Sequence, residues 1–323
     1  MNIENEDSVM LEGANPSLTV MDARKLHIKS FDAESQMATL SLEDLQITKV
    51  PRLNDLMTLI EIVRLAFTNY FNFEFRARGW QSEIMIAGSA PLLLLENILK
   101  FSSDGNLRGR WMNRDNIEWN SNDVDIFVGG ATGETGFNTF AYNFTRALKE
   151  VSRDMGHRLM KRRHFHHEYI IENRFVQIID YQFANVGLKL QTIQSPVHDN
   201  AGEVVHAFDI DIAKVMYNPI TGLLHAPLKT ILNVDKGIAN VIDFTFHDNA
   251  PNLFELSRVN STFGRLRKYS LRGYTFLNYP RLITEAEAAD ELLGESDSIS
   301  EEAMSMEYYD DSTDTSDEST EDP

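Results

Sequence analysis

Asp123 and Asp125 stand two residues apart in Asn122-Asp123-Val124-Asp125-Ile126-Phe127-Val128, alternating with apolar side chains. At the period of a β-strand both carboxylates leave one face, while Val124, Ile126 and Val128 point to the other. Two carboxylates held roughly 5 Å apart in a half-buried place repel by about 3 kcal/mol at an effective dielectric near 20. A divalent cation reverses the sign of that interaction. The pair is therefore a candidate site for Mg²⁺ or Mn²⁺, although Asp-x-Asp alone is more often a solvated strand end.

The upstream segment Ile84-Met85-Ile86-Ala87-Gly88-Ser89 changes that weighting. It reads as an apolar strand ending in a Gly-Ser turn. Gly88 leaves the backbone open to a phosphate, and Ser89 offers a hydroxyl where the next helix begins. Pro91 suits a first helical turn, and Leu92 to Leu95 continue it as an apolar run.

Strand, Gly-Ser turn, helix and Asp-x-Asp strand together resemble the nucleotidyltransferase-fold superfamily, the polymerase-beta-like enzymes. Phe175 to Ile179, Phe208 to Tyr217 and Arg265 to Tyr274 are similar to segments of the nucleotidyltransferase-like proteins of large viruses and fungi, so the resemblance spans Ile84 to Tyr274. It implies an α/β (α+β) nucleotidyltransferase fold, a short mixed sheet backed by helices with a helical C-terminal extension. It also implies transfer of a nucleoside monophosphate from a nucleoside triphosphate to a hydroxyl of RNA, protein or a small molecule. Asp123, Asp125 and a third carboxylate would hold Mg²⁺ or Mn²⁺, and Gly88 and Ser89 would hold the β and γ phosphates. Asp209, in Phe208-Asp209-Ile210-Asp211-Ile212-Ala213, resembles the third carboxylate of several template-independent relatives and ranks first. Asp180 ends an apolar strand and competes with it; Asp211 replaces Asp209 if the register shifts by two. The alternative is a non-catalytic scaffold or nucleic-acid-binding protein of the same fold, of the kind used in a viral replication or virion complex.

The spacing from Gly88 to Asp123 is wide. Its surplus, Phe101 to Trp119 with Arg108, Arg110 and Arg114, reads first as a surface loop and second as a substrate-facing insertion. Helical stripes predict one helix from about Leu53 to Phe71 and another from about Asn138 to Val151. A hairpin is expected across Glu172-Asn173, with a further strand from near His206. A C-terminal helix carries Arg258, Arg265, Arg267, Lys268 and Arg272 with no acid between them. A second basic group, Arg153 to Arg174, surrounds His157, His164, His166 and His167. Either group is a candidate contact for phosphates or RNA. Zinc is disfavoured at the histidines, because one strand cannot easily supply a tetrahedral set.

With 323 residues and 42% apolar content the chain can bury a substantial core, and it contains no cysteine. The divisions expected are an N-terminal arm over 1–50, holding short strands or none, a nucleotidyltransferase-like body over 51–283, and an acidic tail over 284–323. The tail carries 16 of the acidic residues and no Lys or Arg, so the remainder holds −19 + 16 = −3 of the net charge. That composition predicts disorder, as a solubilising tail or as a docking segment for a basic partner. The acidic N-terminus and the lack of any long apolar run predict a soluble intracellular protein, cytoplasmic or nuclear, with no membrane partner.

Overall fold

In the computed structural model the residues described are 26–42, 51–70, 79–100, 123–129, 133–171, 174–194, 198–241 and 253–278. They form a mixed α/β protein built on one large sheet with six helices. The strands are β1 (Ser30–Asp32), β2 (Met37–Ser41), β3 (Ile84–Ala87), β4 (Asp123–Val128), β5 (Leu159–Ile171), β6 (Arg174–Phe183), β7 (Lys189–Gln194), β8 (Met216–Asn218) and β9 (Leu223–Pro227). The sheet runs β1-β2-β9-β8-β3-β4-β7-β6-β5 and is antiparallel throughout except for the parallel pair β4/β7. A separate parallel pair joins β10 (Ile238–Ala239) to β11 (Thr275–Phe276).

The strands separate two faces by simple alternation. On one face Ile84, Ile86, Val124, Ile126, Ile179 and Leu190 join the main core. Helix α1 (Pro51–Tyr70) and helix α3 (Gly133–Asp154) supply its aromatic centre, where Phe67 stacks on Phe144 at 5.0 Å and Phe140 on Phe144 at 5.4 Å. Helix α2 (Ser89–Lys100) is buried from Ser89 to Leu99, as a helix that is apolar nearly all round must be. The other face carries a small cluster of Met37, Met85, Ala87, Ala201, Val205 and Met216, closed by Trp80, Phe127 and Phe208.

Helix α4 (Ala201–His206) caps this smaller face. Its close approach depends on two glycines: a Cβ on Gly129 would collide with the backbone of Asn200, and one on Gly202 with the carbonyl of Trp80. The remaining helices are α5 (Leu228–Lys236) and α6 (Leu253–Leu271).

The helices near Leu53 and Asn138 and the hairpin form where the sequence predicts them, with Ile171 paired to Arg174. The sheet is not short, because residues 30–41, expected as an arm or as short strands, add β1 and β2 beside β9. The strand expected from near His206 is absent. Ala201–His206 is helical, Asp211–Ala213 forms a 3₁₀ turn, and the next strand begins at Met216. The alternation in Phe208 to Ala213 has another cause: the Asp211 carboxylate accepts from Asn233 Nδ2, Asn240 N and Asn240 Nδ2, so amides from distant parts of the chain take the place of a strand ladder. The turn Glu172-Asn173, the segment Phe101 to Trp119 and the tail 284–323 lie outside the described residues. No helix among the described residues is long and apolar enough to cross a membrane.

Candidate functional site

Asp123 and Asp125 begin β4 and both are half-buried, while Val124 and Ile126 behind them are fully buried. Antiparallel pairing sets Ala87 opposite Asp125, which brings the end of β3 to the start of β4. The Gly-Ser turn and the two aspartates therefore meet at one end of the sheet's central strands, although residues 90–122 intervene in the chain. Gly88 has φ +82°, a left-handed conformation that lets the chain turn directly from β3 into α2. A Cβ there would stand 3.8 Å from Asp125 Oδ2, so the missing side chain leaves the carboxylate beside bare backbone at a helix N-terminus.

The rung continues outward. Asp125 pairs with Gln191 on β7, and Gln191 with Asp180 on β6, so the three side chains share a face. Two strand spacings put the Asp125 and Asp180 backbones about 10 Å apart. Gln191 Nε2 donates to Asp180 Oδ1 at 2.5 Å, and Lys189, which pairs with Asp123, lies 3.4 Å from Asp180 Oδ2. Among the described residues no three His, Cys, Asp or Glu side chains are grouped closely enough to hold a metal ion by themselves.

Burial first, and the neighbouring Asp123 second, push the Asp125 carboxyl up to about 7. Lys268 and Lys189 oppose this shift, and Asp180 adds to it. Asp125 Oδ1 is buried and makes no hydrogen bond among the described residues. A carboxylate with an open buried oxygen, a second carboxylate next to it and a glycine in front is a fitting donor set for a hard divalent cation.

Asp209 and Asp211 lie elsewhere in this network. Asp209 accepts from Thr262 Oγ1 and forms an ion pair with Arg265, both on α6. Asp211 is 2% exposed and serves as an acceptor that ties α5, and Asn240 just past β10, to the 3₁₀ turn. Of the three candidates for a third carboxylate, only Asp180 shares the rung of Asp125.

The sequence does not single out Lys189 or Gln191, and it marks Lys268 only as one member of the basic group on the C-terminal helix. Lys189 and Gln191 do alternate with Leu190 and Thr192 at strand period, and that is the signal that marks their face. Lys268 belongs to the basic stretch of α6, where Arg265, Lys268 and Arg272 recur at helical spacing. Burial holds the Lys268 ammonium below the usual lysine range, joined by repulsion from Arg272, while Asp123 and Asp125 pull the other way. Arg272 is 2% exposed and its guanidinium lies 5.3 Å from the Tyr269 ring centroid. Side chains of residues 163–176 and 251–261, among them His164, His166, His167 and Arg258, are outside the description.

Comparison with known protein families and with curated proteins found no match for this chain.

Proposed function

We propose that this chain is a metal-dependent nucleotidyltransferase of the polymerase-beta-like fold, acting with Mg²⁺ or Mn²⁺ on a nucleoside triphosphate. The observation that carries the reading is the meeting of Gly88 with Asp125, 3.8 Å from a Gly88 Cβ position to Oδ2, at the N-terminus of a buried helix and beside Asp123. A backbone turn suited to a phosphate and carboxylates suited to a cation are thereby adjacent, which supports in-line phosphoryl chemistry.

Asp123 and Asp125 would hold the cation, with Asp180 in place of Asp209 as the outlying third carboxylate. A bound divalent ion supplies charge neutralisation on the triphosphate and lowers the pKa of the attacking hydroxyl. Gly88 and Ser89 would receive the β and γ phosphates. The acceptor oxygen forms a bond to the α-phosphorus, the α–β bridging P–O bond breaks, and pyrophosphate leaves. The acceptor proton passes to a carboxylate of the site or to water. Positioning and charge are the whole of the protein's task, and no covalent nucleophile is needed.

The acceptor is a hydroxyl of RNA, protein or a small molecule. Incubation with each labelled nucleoside triphosphate, Mn²⁺ and total RNA or protein tests the reading: transferred label that disappears in Asp123→Asn and Asp125→Asn supports it, and no transfer to any acceptor counts against it. A second reading, a non-catalytic scaffold or nucleic-acid-binding protein of this fold, is favoured by one observation. Asp180 is already engaged by Gln191 and Lys189, as an idle carboxylate in a degenerate site would be. Metal-dependent nucleotide binding in the wild-type protein separates the two.

A further inference from the structure

The aspartates lie within the electrostatic reach of a cation of the chain's own. Phe208 meets Phe127, two residues beyond Asp125, edge-on at 5.5 Å, and the adjacent Asp209 pairs with Arg265, one helical turn before Lys268, so the charge of Lys268 acts on Asp123 and Asp125. Helix α6 is pinned on both sides of Lys268. Towards its N-terminus, Arg265 and Thr262 both bond to the Asp209 carboxylate, which lies outside the helix. Past its C-terminus, Tyr274 O–H donates to the buried Glu96 Oε1 of α2 at 2.5 Å, and Tyr274 meets Tyr269 edge-on at 6.3 Å. Because α2 is the helix that starts at the Gly88 turn, these contacts tie α6, and with it Lys268, to the element that carries the proposed phosphate site. Lys268 is half-buried between two arginines on the same helix face, so its charge is poorly screened.

We infer that Lys268 is a built-in counter-cation that makes the site load metal and nucleotide together instead of metal alone. This inference rests on the proposed nucleotidyltransferase reading. With no nucleotide present, the ammonium occupies the field of Asp123 and Asp125 and repels an arriving divalent ion. A triphosphate brings several negative charges, gives Lys268 a new partner, and leaves the carboxylates free to take the metal. Metal and nucleotide then bind with positive coupling, and by linkage each raises the affinity of the other by the same factor. Removal of the charge should act in opposite directions on the two ligands, an outcome that a merely structural lysine would not produce.

The test compares the full-length wild type with Lys268→Met and Lys268→Arg, after circular dichroism has verified folding. Mn²⁺ binding is followed by electron paramagnetic resonance, alone and with the α,β-methylene analogues of the four nucleoside triphosphates. In Lys268→Met, Mn²⁺ alone should bind roughly tenfold more tightly, and the analogue with Mn²⁺ roughly tenfold more weakly, as expected for one screened charge at a part-buried site. Lys268→Arg should keep the wild-type coupling, and this variant carries the test if the methionine variant does not fold: lost coupling in a folded Lys268→Arg overturns the inference. Unchanged or weaker Mn²⁺ binding in a folded Lys268→Met also overturns it, while wild-type binding of Mn²⁺ with an analogue leaves the proposed function standing. A wild type that binds no analogue with Mn²⁺ removes both the function and the inference.

Discussion

Replacing Asp125 by Asn should stabilise the metal-free protein at pH 8 and leave it nearly unchanged at pH 4. In the folded state burial and Asp123 raise the Asp125 carboxyl from its ordinary 3.8 to about 7, so between those values the native state binds more protons than the unfolded chain. The stability this group supports is present below pH 4 and is lost as pH rises to about 7. Three units at 1.36 kcal/mol each bound the loss at about 4 kcal/mol. Asp125 is only half-buried, and solvent screening reduces the expected figure to about 2 kcal/mol. The i,i+2 spacing gives a similar scale, since charges about 6.5 Å apart at a dielectric near 20 repel by about 2.5 kcal/mol. Urea unfolding of wild type and Asp125→Asn in chelator, from pH 4 to 8, should give curves that diverge with rising pH, the variant being the more stable. Adding Mn²⁺ at 100 times its dissociation constant should return about 2.7 kcal/mol to the wild type and nothing to the variant. A variant less stable than wild type at every pH by about 1 kcal/mol or more would refute the reasoning and make Asp125 an ordinary structural acceptor.

Other expectations can be checked by the same unfolding assay. Gly88→Ala should lower stability by about 1–2 kcal/mol, because φ +82° suits glycine, and nucleotide-analogue binding measured by calorimetry should fall further than stability does. His225 is 4% exposed and burial lowers its pKa to about 4, so wild-type stability should fall as pH drops from 6.5 towards 4; His225→Gln should resist that loss by about 2 kcal/mol at pH 4.5. Tyr274→Phe removes the hydroxyl that donates to the buried Glu96 Oε1 and should reduce stability by about 1–2 kcal/mol, read from the urea midpoint. Gly202→Ala drives a methyl into the Trp80 carbonyl and should cost about 3 kcal/mol or more, with the tryptophan fluorescence of the native state altered.

The features legible in the residues alone are local ones. Alternation in Asp123 to Val128 decides which side chains share a face, and the apolar stripes of α1 and α3 decide that they are helices, because each signal repeats within a few residues. Gly88 before Ser89 likewise marks a turn into a helix, while its left-handed φ is visible only in the structure. The acids of Phe208-Asp209-Ile210-Asp211 have the same local period as a strand, yet form none. Their partners come from far along the chain: Asn233 and Asn240 lie 22 and 29 positions beyond Asp211, and Thr262 and Arg265 lie 53 and 56 beyond Asp209. Only tertiary packing could therefore decide that these carboxylates are acceptors in a frame. By pairing β4 with β7 and β7 with β6, the same packing put Asp180 on the rung of Asp125. The position of Lys268 follows the same rule, since a basic helix face is legible in sequence, while the acids it confronts are chosen by how the helix is pinned.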